Sequence, residues 1–148
     1  MATYVLVHGS AHGGWCYQAV ARLLRAQGHD VYTPTLTGLG ERSHLLFPGT
    51  GPLPTHGLTD PDQIAWASPR LTPHPWKTYL QPLRLGNESE VWAIPQTHIV
   101  ASRPLAEHHP ERLAAARDAG RVHFIDTGHD VMMTEPDAVA EILLGVAG

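Results

Sequence analysis

Two loops in this sequence carry residue types that could do chemistry. The first, His8-Gly9-Ser10-Ala11-His12-Gly13-Gly14, runs directly out of the apolar stretch Tyr4-Val5-Leu6-Val7. A glycine-dense turn at the carboxyl end of a buried strand, beside a helix start, offers successive backbone N–H groups, which is how a developing oxyanion or a phosphate is held. Gly9, Ser10, Ala11 and His12 are therefore the candidate oxyanion and substrate-binding residues. No Gly-Lys-Ser/Thr follows, so the loop is not of the Walker type, and neither the Gly-x-Gly-x-x-Gly spacing nor an acidic end to the second strand marks a dinucleotide site. The second loop, Thr127-Gly128-His129-Asp130, puts an imidazole between a strand end and a helix. His129 is the candidate catalytic residue, because a general base at that place reaches a group on a neighbouring strand end. The plainer reading is a solvated loop histidine or a cap. Trp66 and Trp76 are candidates for lining an apolar substrate pocket, against the commoner use of such aromatics as anchors.

The elements that must position these loops follow from hydrophobic patterning. Tyr4 to Val7 predicts a buried parallel strand. Val20, Leu23 and Leu24 recur at helical spacing between Trp15 and Gln27, and Gly28 sits where such a helix stops. Asp30 to Pro34 predicts a second strand, completing a right-handed βαβ unit. Residues 35–63 hold eight glycines and prolines between Gly38 and Gly57 with no sustained period, which predicts a long loop. Prolines 69, 73, 75 and 82 break residues 64–90 into short helical turns of an irregular cap. Thr97–Ala101 predicts a strand, Pro110–Ala119 a helix ending at Gly120, Val122–Asp126 a strand, and Pro136–Val146 a final helix whose proline suits the first turn. The expectation is one α/β domain, a three-layer α/β/α sandwich on a mostly parallel sheet. It divides into an N-terminal βαβ at 1–47, a loop at 48–63, a cap-like segment at 64–90 and a C-terminal βαβα at 91–148.

Composition narrows the function classes. With 148 residues, 10 Lys+Arg against 14 Asp+Glu and a net charge of -4, the chain has no electrostatic footprint for nucleic acid or an anionic bilayer. The first apolar run is too short for a signal-peptide core or a membrane span, so the expected location is cytoplasmic. The single cysteine, Cys16, excludes an internal disulfide and a multi-cysteine zinc site. His8 with His12, or His108 with His109, would be the offers for a metal, but no His-Glu-x-x-His is present, and neither metal nor cofactor is expected.

Tyr4-Val-Leu-Val-His8-Gly9-Ser-Ala-His12-Gly13-Gly14-Trp15, Gly28-His29 and the run from Thr33 to Leu46 resemble the amino-terminal part of α/β-hydrolase-fold esterases, on the branch related to plant hydroxynitrile lyases and salicylate or pheophorbide esterases. Leu58–Asp62, Trp66, Arg70–Pro73 and Gln81–Leu85 are similar to the cap of bacterial members, and Asp126-Thr-Gly-His129-Asp130 to Pro136 resembles their histidine loop. The resemblance implies a shortened α/β-hydrolase fold in two blocks that meet near residues 48–57. It also implies an oxyanion role for the amides near Ser10 and Ala11. The family's loop histidines bind no metal.

The family's nucleophile stands on a Gly-x-Ser-x-Gly elbow. Ser10, Ser43, Ser68, Ser89 and Ser102 all lack that setting here. The orienting acid has no counterpart either: Ser102-Arg103-Pro104 stands where relatives carry it, Glu107 comes a few residues late, and Asp126 precedes the histidine on its own strand. Three readings follow. One is a cofactor-free enzyme using His129 and a backbone oxyanion hole on a small carbonyl substrate, in lyase, cyclase or aldol-type chemistry. A second is residual or conventional esterase activity, alone or completed by a partner chain, and a third is a non-catalytic small-molecule binding module or remnant. Removing central strands should pair residues 4–7 with 97–101, or else leave two sheet edges open to a homodimer.

Overall fold

The computed structural model describes residues 1–40, 57–75, 77–102, 114 and 116–147. Two parallel strand pairs form its centre. β1 (Thr3–Val5) pairs with β2 (Asp30–Tyr32) in the register Thr3↔Asp30, Tyr4↔Val31, Val5↔Tyr32. β3 (His98–Ala101) pairs with β4 (Val122–Ile125), with His98 opposite Val122 and Ala101 opposite Ile125. The pairs do not join: among the described residues β1 does not ladder with β3, and the alternative with open edges is the one observed. The β1 ladder is also shorter than the apolar run suggests, although the Leu6 N–H still donates to the Tyr32 carbonyl at 2.8 Å.

The chain from strand to strand winds as expected, with one local change. Gly14–Tyr17 forms a 3-10 turn, and the α-helix α1 starts only at Gln18 and runs to Ala26. Val20, Ala21 and Leu24 line its buried face. Gly28 ends it at φ 80, a left-handed conformation that costs glycine nothing, and the His29 N–H closes back on the Leu24 carbonyl at 3.3 Å. In the last third, α5 (Val131–Thr134) leads into α6 (Pro136–Ala147).

The core lies where α1 and α6 cover one side of both strand pairs. Leu6, Val20, Ala21, Leu24, Val31, Val139 and Ala140 are buried there, with Tyr4, Ile99 and Ile125 packed against them. Val20 and Leu24 are completely buried, which contributes about 1.5–3 kcal/mol each. Strand alternation sends Val5, Val7 and Tyr32 to the opposite side, where they are more than half exposed. On β4 Phe124 faces the same side and is also more than half exposed, with the Arg117 guanidinium 5.8 Å from its ring centre.

Between the halves, α2 (Pro61–Ala67) begins inside the stretch expected to be loop. Asp60 caps it by accepting from the amides of Asp62 and Gln63 at 2.8 and 3.4 Å, and Pro61 fills the first helical position. A 3-10 turn at Ser68–Arg70, α3 (Lys77–Leu80) and α4 (Glu88–Ala93) complete the cap as short helical turns. No described helix is long and apolar enough to cross a membrane.

Candidate functional site

The loop after β1 is built by its own histidines. His8 is buried; its Nδ1 donates to the Gly9 carbonyl at 2.8 Å, and its Nε2 accepts the Leu36 N–H at 2.9 Å. Both ring nitrogens are committed, and the tautomer is fixed by the amide that points at Nε2. His12 is equally buried, with Nδ1 on the Ser10 carbonyl at 2.6 Å and Nε2 3.3 Å from an oxygen of Asp130. Burial alone would lower the His12 pKa, but the Asp130 carboxylate and the Ser10 carbonyl outweigh it and hold the ring above its ordinary value. His12 thus ties this loop to the loop after β4 through Asp130.

Two further contacts shape the turn. Ala11 is buried at φ 65, a left-handed conformation for a non-glycine residue. Gly14 is pressed against β2's continuation: a Cβ there would lie 2.0 Å from the Thr33 carbonyl oxygen. The Gly14 N–H donates to Thr35 Oγ1 at 3.1 Å.

The cap closes over the same turn. The Thr72 N–H donates to the Ala11 carbonyl at 3.0 Å, and Thr72 Oγ1 accepts the Gly40 N–H at 3.0 Å. The Ala11 N–H donates to Nδ1 of His74 at 3.3 Å, and the Ser10 hydroxyl meets the Tyr79 hydroxyl. His74 is half-buried; desolvation first, and the neighbouring His8 second, push its pKa below the ordinary value.

The loop after β4 is tied down independently. Thr127 Oγ1 donates to Thr134 Oγ1 at 2.7 Å, and the amides of Met133 and Thr134 donate to the Asp130 carbonyl at 2.8 and 3.1 Å. Gly57, at φ 90, packs against it so closely that a Cβ on Gly128 would lie 2.4 Å from the Gly57 carbonyl oxygen. His129 stands exposed on this loop, while its neighbour Asp130 is buried. Asp126 is exposed and accepts from the Ser102 hydroxyl at 3.0 Å.

An open cleft of about 530 Å³ begins where the first loop ends, lined by Trp15, Cys16, Arg22, Gln63, Trp66 and Met133 among others. Trp66 meets Trp15 edge to face at 5.4 Å, and the Arg70 guanidinium lies 4.4 Å over its ring. Trp15 in turn stacks on His12 at 5.3 Å. Burial pushes the Cys16 thiol up to about 12, so it is a packing residue at neutral pH.

The structure thus brings Ser10, Ala11 and His12 into one turn, with Gly9 exposed on its rim, and sets Trp66 on the cleft wall. Trp76, His108, His109, Arg103 and Glu107 lie outside the described residues, as do most of the junction at 48–57 and the start of the helix expected from Pro110. Asp130, His74, Thr78 and Tyr79 were not singled out by sequence. Asp130 follows His129 directly, but nothing local indicates a partner 118 positions earlier; His74 sits between prolines in a stretch without period. Among the described residues no group of three or more His, Cys, Asp or Glu is placed to hold a metal ion.

No protein-family model matches the chain. It is 62% identical over 45 residues to a carbendazim hydrolyzing esterase of Nocardioides sp. (strain SG-4G), covering 30% of this chain and 19% of that protein. It is 33% identical over 91 residues to Methylesterase 18 of Arabidopsis thaliana, covering 62% and 32%. The chain therefore spans about a fifth to a third of the length of these relatives. Among solved structures, an extracellular α/β-hydrolase from a Paenibacillus species, described as sharing structural and functional homology with tobacco Salicylic Acid Binding Protein 2, matches at TM-score 0.70 and 17% identity over 100% of this chain and 99% of that one. A variant of tomato Methylketone Synthase I complexed with beta-ketoheptanoate matches at TM-score 0.67 and 15% identity, over 99% and 97%. The fold is the α/β-hydrolase fold, and the resemblance to its esterases holds.

Proposed function

We propose that this chain binds a small, flat carbonyl compound against the loop after β1, beside the cleft walled by Trp15 and Trp66, and moves a proton next to its carbonyl group without a cofactor. Backbone amides of residues 9–12 stabilise the enolate, and an imidazole serves as base; His129, at the end of β4, is the candidate that its position in the chain indicates. The reaction class is lyase, cyclase or aldol-type. The observation that carries this reading is the Ala11 amide, held in a left-handed turn and donating to a side-chain nitrogen rather than to the backbone. A donor fixed before substrate arrives needs no reorganisation when charge develops, and one such donor is worth about 3–4 kcal/mol of barrier.

Two facts support the choice of chemistry. No serine of the chain stands in a Gly-x-Ser-x-Gly setting, so an acyl-enzyme has no built nucleophile here. One structural neighbour of the same fold was solved with beta-ketoheptanoate and with 2-tridecanone, both carbonyl compounds. The test is α-proton exchange of phenylacetone in heavy water, followed by proton NMR. Catalysed exchange by the wild-type chain supports the reading, and His129→Ala tests whether His129 is the base; binding without exchange favours a module that only holds its ligand.

A second reading, ester hydrolysis with the nucleophile supplied by another polypeptide, is favoured by the 62% identity to the carbendazim hydrolyzing esterase. Turnover of a p-nitrophenyl ester together with labelling by a serine-directed phosphonate would support it. Failure of both in the purified chain and in any complex it forms removes it.

A further inference from the structure

We propose that His74, on the cap, is a catalytic acid–base residue of this site, with Thr78 as its positioning residue. The inference rests on the proton-transfer reading above and names the group that contacts the oxyanion donors.

The imidazoles around the first loop separate by what their nitrogens already do. His8 spends Nδ1 on the Gly9 carbonyl and Nε2 on the Leu36 amide. His12 points one nitrogen at the Ser10 carbonyl and the other at the Asp130 carboxylate. The partners of both rings belong to the framework of the turn. His74 differs: its Nδ1 accepts from the Ala11 N–H at 3.3 Å, so the lone pair already faces the donor that would hold a substrate's oxygen. Because Nδ1 accepts, the ring proton sits on Nε2, which faces Thr78 Oγ1 at 2.8 Å. The Thr78 hydroxyl then donates to the Pro75 carbonyl at 2.8 Å. This chain of hydrogen bonds fixes both the tautomer and the ring plane, the service a third group gives to a base.

The surroundings favour the neutral form. Desolvation and the neighbouring His8 lower the pKa of His74. Tyr79 packs its ring 5.0 Å away, and its hydroxyl bonds to Ser10 rather than to the imidazole. At pH 7 the ring is an unprotonated base beside a preset anion donor, which is the pairing that enolisation requires.

The step balances without a co-reactant. The substrate's carbonyl oxygen replaces Nδ1 as acceptor of the Ala11 N–H and thereby releases the Nδ1 lone pair. The α C–H bond breaks, its proton goes to Nδ1, and the electron pair becomes the double bond of an enolate whose oxygen faces the Ser10 and Ala11 amides. Return of a solvent-exchanged deuteron from the ring forms a C–D bond, and nothing is oxidised or reduced.

Asparagine separates catalysis from packing, because its Oδ1 occupies the place of Nδ1 and still accepts from the Ala11 N–H. In phenylacetone exchange at neutral pH, His74→Asn is expected to lose about 100-fold in rate. Phenylacetone affinity, read from quenching of tryptophan fluorescence, should stay within about twofold. Thr78→Val should lower kcat with little change in KM and displace the acidic limb of the pH profile. A His74→Asn rate within about threefold of wild type, with exchange lost in His129→Ala, overturns this inference and leaves the proton-transfer reading standing. No exchange by the wild-type chain, although phenylacetone binds, overturns both.

Discussion

Replacing Asp130 by asparagine keeps the shape of the side chain and removes its charge, so it isolates what the pair with His12 contributes. The two side chains are 3% and 5% exposed, and the closest N–O distance is 3.3 Å. At an effective dielectric near 20 that separation corresponds to about 5 kcal/mol of attraction. Much of it is offset by removing both charges from water. What the substitution exposes is the cost of a buried imidazolium without its counter-charge, about 3 kcal/mol, or a fall in Tm on the order of 10 °C for a domain of this size. The pH dependence has a definite sign. Burial opposes protonation of His12, but Asp130 and the Ser10 carbonyl prevail and raise its pKa above the ordinary 6.5. A histidine raised in the folded state contributes stability that is complete below about pH 6.5 and is lost as pH climbs through the folded value. The gap between wild type and Asp130→Asn should therefore be widest near pH 6 and narrow toward pH 9. Urea unfolding followed by tryptophan fluorescence at several pH values across that window measures it. A gap that stays constant, or widens with rising pH, refutes the charged pair.

Two other outcomes follow from the same loops. Gly14→Ala should destabilise by about 1–3 kcal/mol, because its methyl carbon would collide with the Thr33 carbonyl oxygen 2.0 Å away; thermal unfolding checks this, and an unchanged Tm would contradict it. Cys16, buried and with its thiol pushed up to about 12, should resist an aromatic disulfide reagent at pH 8 in the native state and react once the chain is unfolded in urea. Rapid native labelling would show that the cleft wall opens.

Where a feature depended on neighbours in sequence, it was legible there. Val20 and Leu24 on the buried face, and the left-handed Gly28 that ends α1, follow from periodicity and from glycine's freedom. So does the glycine-dense turn at the end of β1. Ala21, by contrast, is buried where Leu23, named by the same spacing, is only partly so. The 3-10 entry at Gly14–Tyr17 was not legible, because the helical period of the later residues masks a first turn set by Gly14 packing on Thr33. The separation into two strand pairs depends on which strands come together in space, which no local pattern encodes. The candidate site divides in the same way. The loops could be located, but the roles of the histidines could not, since each is decided by a partner distant in the chain: Leu36 for His8, Asp130 for His12, Ala11 for His74. His129, singled out by position, stands exposed, while the acid beside it does structural work.

The contacts that hold the glycine-dense turn after β1 explain how its conformation is maintained. Its framework consists of His8 on Leu36, His12 on Asp130, Gly14 against Thr33 and Thr35, and Thr72 on the Ala11 carbonyl. Every partner belongs to β2's continuation, the cap or the loop after β4, so none depends on a strand between β1 and β3. A left-handed alanine costs about 1–2 kcal/mol and persists only where its surroundings over-determine it. Here the carbonyls of Ser10 and Ala11 on either side are both engaged, by His12 and by Thr72. The donor geometry is thus a property of the two loops and the cap together. The Ala11 N–H already donates to the His74 imidazole, so a ligand's oxygen that takes this hydrogen bond displaces the ring from it.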